Sequence, residues 1–133
     1  MAGKRAPDAI ALNESVAIPV DWRPGDCPVT RTVAVVGGKW KPSILYLLHR
    51  GPTRFNALQR ALPGITQRML TLQLRALERD GVVIRTLYPS VPPQVEYALS
   101  PSGASLAPVF DALIAWDKSR HGAMRTAAPG GAG

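Results

Sequence analysis

Arg68, Thr71, Arg75 and Arg79 follow one another at steps of three or four residues. At about 100° per residue, that spacing puts all four on one face of a helix. Leu70, Leu74 and Leu77 fall on the opposite face and form a core stripe. A guanidinium fork pairs bidentately with phosphate or with guanine, so the arginine face suits a polyanion. The plainer alternative is a surface helix whose charged side is simply solvated.

Cys27, the only cysteine, is the second candidate for chemistry. Asp26-Cys27-Pro28 reads as a helix start, because proline suits a first turn where its missing N–H leaves no bond unmade. The helix dipole there stabilises a thiolate, and Arg31 stands one turn on. Both conditions lower a cysteine pKa and raise reactivity. The alternative is an inert small residue that caps or packs. A lone cysteine excludes an internal disulfide framework and fits a cytoplasmic protein.

Catalysis has little else to rest on. His49 and His121 are far apart and lack carboxylates or cysteines at metal-ligand spacing. No GxxxxGK(S/T) phosphate loop occurs. Ser100 and Ser102 read as caps rather than nucleophiles. The expectation is a protein that is not an enzyme and holds neither metal nor cofactor.

Charge sharpens the polyanion reading. The 133 residues carry a net charge of +7. From Arg31 to Arg85 there are ten Lys/Arg and two Asp/Glu, a net +8, and the remainder is −1. Basicity concentrated in this way points to a polyanionic partner. Nucleic acid leads, an anionic membrane surface follows, and a solvated face is the alternative. No apolar run approaches the ~20 residues that span a bilayer.

The elements that must position these residues can be read in order. Residues 1–26 lack a sustained period and read as a flexible extension, with short ordered pieces around Ala9–Leu12 or Val16–Val20. A helix then runs over Val29–Val36, with Val29, Val33 and Val36 inward, and stops at Gly37-Gly38. After Pro42, the apolar Ile44, Leu45, Leu47 and Leu48 make a buried helix that ends at Gly51-Pro52. A third helix opens at Arg54-Phe55 and reaches Leu62. Following the break at Pro63-Gly64, the arginine-faced helix covers Thr66 to Asp80, with Thr66 as N-cap. Val82 to Tyr88 and Gln94 to Leu99 read as two strands of a hairpin around a proline-rich turn. A last helix starts at Ser100-Pro101 and runs through Arg120. Pro108 should kink or split it. The tail from His121 reads as disordered.

Three helices followed by a hairpin is the plan of a helix-turn-helix with a β wing. The second helix of such a pair enters the major groove N-terminal part first. Thr66, Gln67, Arg68, Thr71 and Arg75 are then the candidates to reach DNA, and Leu72 could touch a thymine methyl or simply be a half-exposed leucine, the commoner case. Arg79 lies too far along to read a base. Lys39, Lys41 and Arg54 stand near helix starts and suit phosphates, and Arg85 on the first wing strand suits the backbone or an adjacent minor groove; for each, a solvated charge is the alternative.

The chain resembles the HxlR-type transcriptional regulators, winged helix-turn-helix proteins related to the MarR group. The matching pieces come in the family's order: Cys27-Pro28, Gly37-Gly38-Lys39-Trp40, Arg54-Phe55 with Leu58, and Ile65 through Leu70. They continue through Leu74, Leu77-Glu78, Gly81-Val82-Val83, Arg85, Pro92 to Tyr97, and Ser100-Pro101 with Gly103. The resemblance implies a homodimer on double-stranded DNA at an inverted-repeat operator. It implies dimerisation through the terminal helices, by Val29, Val33, Leu106, Val109, Phe110, Leu113 and Trp116. In several members the cysteine matching Cys27 senses oxidants, quinones or aldehydes, and other members bind small ligands. With no second cysteine, a thiol switch here needs a Cys27–Cys27 bridge between subunits, a small-thiol adduct or alkylation.

The expected protein is thus mainly α with a small β-hairpin, a cytoplasmic DNA-binding regulator with no membrane contact. Its winged domain covers 27–120, between a flexible 1–26 and a disordered 121–133. The alternatives are a dimeric protein-interaction module with weak DNA binding, or a ligand-responsive regulator without a thiol switch.

Overall fold

The structure, a computed structural model, describes residues 20–127, with side chains through residue 122. The expected ordered pieces at 9–12 and 16–20 lie, apart from Val20, outside the described residues. The chain divides into two compact units, with the boundary between Thr32 and Val33.

In the first unit, a 3-10 turn at Pro24–Asp26 leads into α1, Pro28–Val36. The backbone N–H of Arg23 donates to the Asp26 carboxylate at 2.9 Å, which fixes the turn just before Cys27. Gly37 follows α1, and a Cβ there would lie 2.5 Å from the Val33 carbonyl oxygen, so only glycine fits this exit. Val29 and Val33, read as inward, are exposed. Val35 and Val36 are the α1 residues that pack on the core. A helix this short can turn only part of its surface to one body, and its valines lie on more than one face.

The second unit holds α2 (Lys41–Leu48), β1 (Thr53–Arg54), α3 (Phe55–Ala61), α4 (Gln67–Arg79), β2 (Val83–Tyr88), β3 (Gln94–Leu99), α5 (Pro101–Ala104) and α6 (Ala107–Ala127). Ile44 and Leu45 of α2, Leu58 of α3, and Leu70, Leu74 and Leu77 of α4 have no exposed surface and make the core. The leucine stripe read from the sequence is therefore the packed face of α4.

The expected hairpin is part of a three-stranded antiparallel sheet in the order β1-β3-β2. Thr53 pairs with Tyr97 and Arg54 with Glu96. Two residues between Pro52 and a helix carry no alternation, so β1 exists only because β3 offers it an edge.

The last helix splits, as Pro108 suggested. The break falls at Ser105-Leu106, ahead of the proline, which occupies the first turn of α6 where it is tolerated. Helix α6 continues past Arg120 to Ala127, so the boundary expected at His121 falls inside the helix. Residues 128–133 lie outside the described ones.

Candidate nucleic-acid interface

Helix α4 begins where Thr66 adopts an extended conformation and its hydroxyl accepts a hydrogen bond from the Met69 N–H at 3.0 Å. That satisfies one of the donors a helix start leaves open. The preceding turn needs Gly64, at φ +93°, to reverse the chain after α3. The Trp40 ring lies within contact distance of where a Gly64 side chain would start, so the turn rests on a half-buried aromatic.

With its leucine face packed, α4 turns Thr66, Gln67, Arg68, Leu72, Arg75 and Arg79 to solvent. Leu72 is 52% exposed among these arginines. Thr71 is half-buried, and its hydroxyl donates to the Gln67 carbonyl at 2.8 Å. Its proton is therefore committed to the helix, and the oxygen is left as an acceptor. Among the described residues, no ion pair neutralises Arg68, Arg75, Arg79 or Arg85.

The wing stands beside this helix. Arg85 of β2 pairs in register with Tyr97 of β3 and shares the sheet face that turns toward the core. Thr71, Arg75, Glu78, Arg85 and Tyr97 line one recess between α4 and the wing. A second recess brings Arg54 and Gln67 together with Asn56 of α3 and Gln94 of β3. Sequence reasoning passed over Asn56 and Gln94. Neither has a periodic signal, although Asn56 stands in the first turn of a helix whose start was recognised.

At the outer end of the wing, Tyr88 donates to the Glu96 carboxylate at 3.1 Å. That bond, and then the carboxylate's charge, raise the phenol above its ordinary value. Lys39 is exposed, with its ammonium over the Trp40 ring at 5.0 Å, and Lys41 is half-buried at the start of α2. The structure thus gathers Arg54, Gln67, Thr71, Arg75 and Arg85 around the wing. It ties Lys39 to the aromatic behind the turn instead.

Cys27 is half-buried at the start of α1. The Thr30 backbone N–H, and then the Thr30 hydroxyl, hold its thiol below the ordinary value of 9.0, with the Val29 N–H adding to them against some desolvation. Arg31, which sequence reasoning named beside the helix dipole, is the smallest of these influences. Its guanidinium donates to the Gly25 carbonyl at 3.1 Å instead of turning to the sulfur.

The proposed dimer residues divide. Val29, Val33, Val109, Leu113 and Trp116 are exposed, and Leu106 is half-buried against the core. Phe110 is buried in the chain's own core, its ring 5.0 Å from that of His49. His49 itself is held at the end of α2 by donating its Nδ1–H to the Leu45 carbonyl at 2.8 Å. Phe110 is therefore the residue that anchors α6 to the domain.

Helices α3 and α4 form a helix-turn-helix flanked by a β wing, and a family model described as HxlR-like helix-turn-helix matches residues 35–124. The chain belongs to the HxlR family.

YdeP of Bacillus subtilis (strain 168), an uncharacterized HTH-type transcriptional regulator, is 53% identical over 90 residues, spanning 68% of this chain and 70% of YdeP. The redox regulator HypR in its reduced form superposes with a TM-score of 0.70 at 46% identity, covering 75% of this chain and 99% of that one. The reduced transcriptional regulator YodB from B. subtilis gives 0.61 at 34% identity, covering 68% and 89%. As an HxlR-family member, the chain is an HTH-type transcriptional regulator that binds DNA through its winged helix-turn-helix. Among the described residues, no helix is long and apolar enough to cross a membrane.

Proposed function

We propose that this HxlR-family chain acts as a homodimer on an inverted-repeat operator, with α4 of each subunit in the major groove, and that the Cys27 thiol switches it. The observation that carries the reading is the exposed arginine face of α4, free of ion pairs among the described residues, over a fully buried leucine face. Arg68 and Leu72 face away from the packed stripe, Arg68 suited to guanine and Leu72 to a thymine methyl, and Gln67, at the N-terminal end of α4, is suited to adenine. Arg54, Lys39 and Lys41 suit phosphates and set the register. The exposed Val29, Val33, Val109, Leu113 and Trp116 serve the dimer contact.

The thiol switch draws support from two sides. Cys27 has donors that favour its thiolate, and the similar HypR is a redox regulator. A two-electron oxidant of the diamide type would take two thiolates, one from each subunit, to a disulfide and be reduced itself. An electrophile such as a quinone would instead add to one thiolate.

A mobility-shift assay on the promoter of the neighbouring gene, with and without diamide, tests the proposal. Arg68→Ala should weaken binding by about 1–3 kcal/mol and relax preference at one base pair. Cys27→Ser should bind normally and ignore diamide. A Cys27→Ser variant that still responds would remove the thiol from the mechanism. A wild type indifferent to promoter sequence would remove the operator.

A further inference from the structure

Arg75 was read from the sequence as a base reader on the same stripe as Arg68, but its surroundings differ. It lines the recess between α4 and the wing together with Thr71, Glu78 and, from the opposite wall, Arg85. Two arginines thus line one space from separate elements, and among the described residues neither has an ion-pair partner.

An α-helix with its side chains is about 10–12 Å across, and the major groove is about 12 Å wide. A helix seated there fills the groove. Its leading face meets base edges, while its flanks meet the sugar-phosphate walls. At about 100° per residue, Arg68 and Leu72 lead, directly away from the Leu70, Leu74 and Leu77 stripe. Thr71 and Glu78 lie on the flank that faces the wing, and Arg75 lies between Thr71 and Arg68 around the helix, about 20° from Arg68. What sets Arg75 apart from Arg68 is that it lines the recess shared with Arg85, and a side chain directed there would reach a backbone phosphate.

We infer that Arg75 and Arg85 form a two-armed clamp on a single DNA phosphate bordering the groove, so that Arg75 fixes the depth and register of α4 without reading a base. Each guanidinium offers parallel N–H donors to the phosphate oxygens. The half-buried Thr71 narrows the recess beneath them. The Glu78 carboxylate shares the recess and opposes the incoming anion. It keeps the clamp from holding phosphates indiscriminately at the cost of some affinity. This rests on α4 being the recognition helix, as proposed above.

The test uses the full chain, a duplex of the neighbouring promoter and a scrambled duplex of equal length, titrated over a series of salt concentrations. Circular dichroism of each variant confirms folding. Arg75→Ala and Arg85→Ala should each weaken binding to both duplexes by the same factor, roughly tenfold, with base preference unchanged. The double variant should lower the slope of log affinity against log salt by about 0.9, the share of one phosphate. Glu78→Gln should tighten binding to both duplexes, a gain that misfolding cannot produce.

The clamp is overturned if Arg75→Ala relaxes preference at one base pair, if the double variant loses twice that slope, or if Glu78→Gln leaves affinity unchanged. Arg68→Ala is the control. If it still relaxes base preference while these outcomes appear, the clamp fails and the recognition helix stands. If it has no effect either, the recognition helix itself fails.

Discussion

Cys27 shows how local the chemistry of a thiol can be. Its neighbours in the first turn of α1, Thr30 above all, donate to the sulfur and stabilise the thiolate over the thiol. The thiolate is the nucleophile, so alkylation should climb to its plateau with a midpoint below the ordinary thiol value, and the fraction reactive at a given pH should rise accordingly. Thr30→Val removes the hydroxyl but leaves the stronger backbone donor. The midpoint should therefore move upward without reaching that of a free thiol. The rate of iodoacetamide labelling between pH 6 and 10, roughly the span of cysteine titration, measures this directly. With a single cysteine, no other thiol contributes. Arg31→Ala, by contrast, should change the profile little, because Arg31 is engaged with the Gly25 carbonyl.

At the scale of elements, the seam between the end of α4 and the start of α5 holds the wing and the last helix in place. Ser100, 8% exposed, donates from Oγ to the Gly81 carbonyl at 2.6 Å and accepts from the Gly103 N–H at 3.0 Å. Its own N–H donates to the Val82 carbonyl at 3.0 Å. Gly103 lets the backbones approach this closely. A Cβ there would stand 2.2 Å from the Val82 carbonyl oxygen, and that atom belongs to backbone that cannot rotate aside. Gly103→Ala should therefore destabilise the fold by roughly 1–3 kcal/mol, the usual penalty of overpacking, and thermal unfolding would register it. Gly122, in open space on α6, is the contrasting site, where alanine meets nothing.

The whole molecule leaves apolar side chains in water that a lone small domain has no need to expose. Leu113 is 57% exposed and Trp116 64%, on a helix anchored to the domain by the buried Phe110. Large exposed apolar surface of this kind marks an interaction site. The homodimer proposed above would cover it and would place two α4 helices for two half-sites. Replacing Leu113 and Trp116 together with Ser should therefore shift the protein toward monomer in sedimentation experiments. The same variant should keep its affinity for a single half-site and lose the advantage of the inverted repeat. A double variant that remains dimeric would move the contact elsewhere. Salt belongs to this scale too, since the excess charge of the middle segment should make operator affinity fall steeply as salt rises.

Much of the recognition helix was legible without coordinates. Thr66 as cap, Leu70, Leu74 and Leu77 as the buried stripe, and the arginines opposite them follow from a single period and one capping residue. Both are properties of a few turns of chain. Strand β1 was invisible, because two residues carry no pattern and their partner, β3, lies far along the chain. Phe110 was grouped with Leu113 and Trp116 because periodicity gives the phase of a side chain, not what stands opposite it. His49 stands opposite Phe110, whereas Trp116 is 64% exposed, with the Arg120 guanidinium of its own helix over the ring at 5.4 Å. The same holds for Arg75. The sequence by itself determined that it shares a face with Arg68, since both positions belong to one helix. Only the tertiary structure decided that Arg85 stands across from it, since that neighbour arrives from another element.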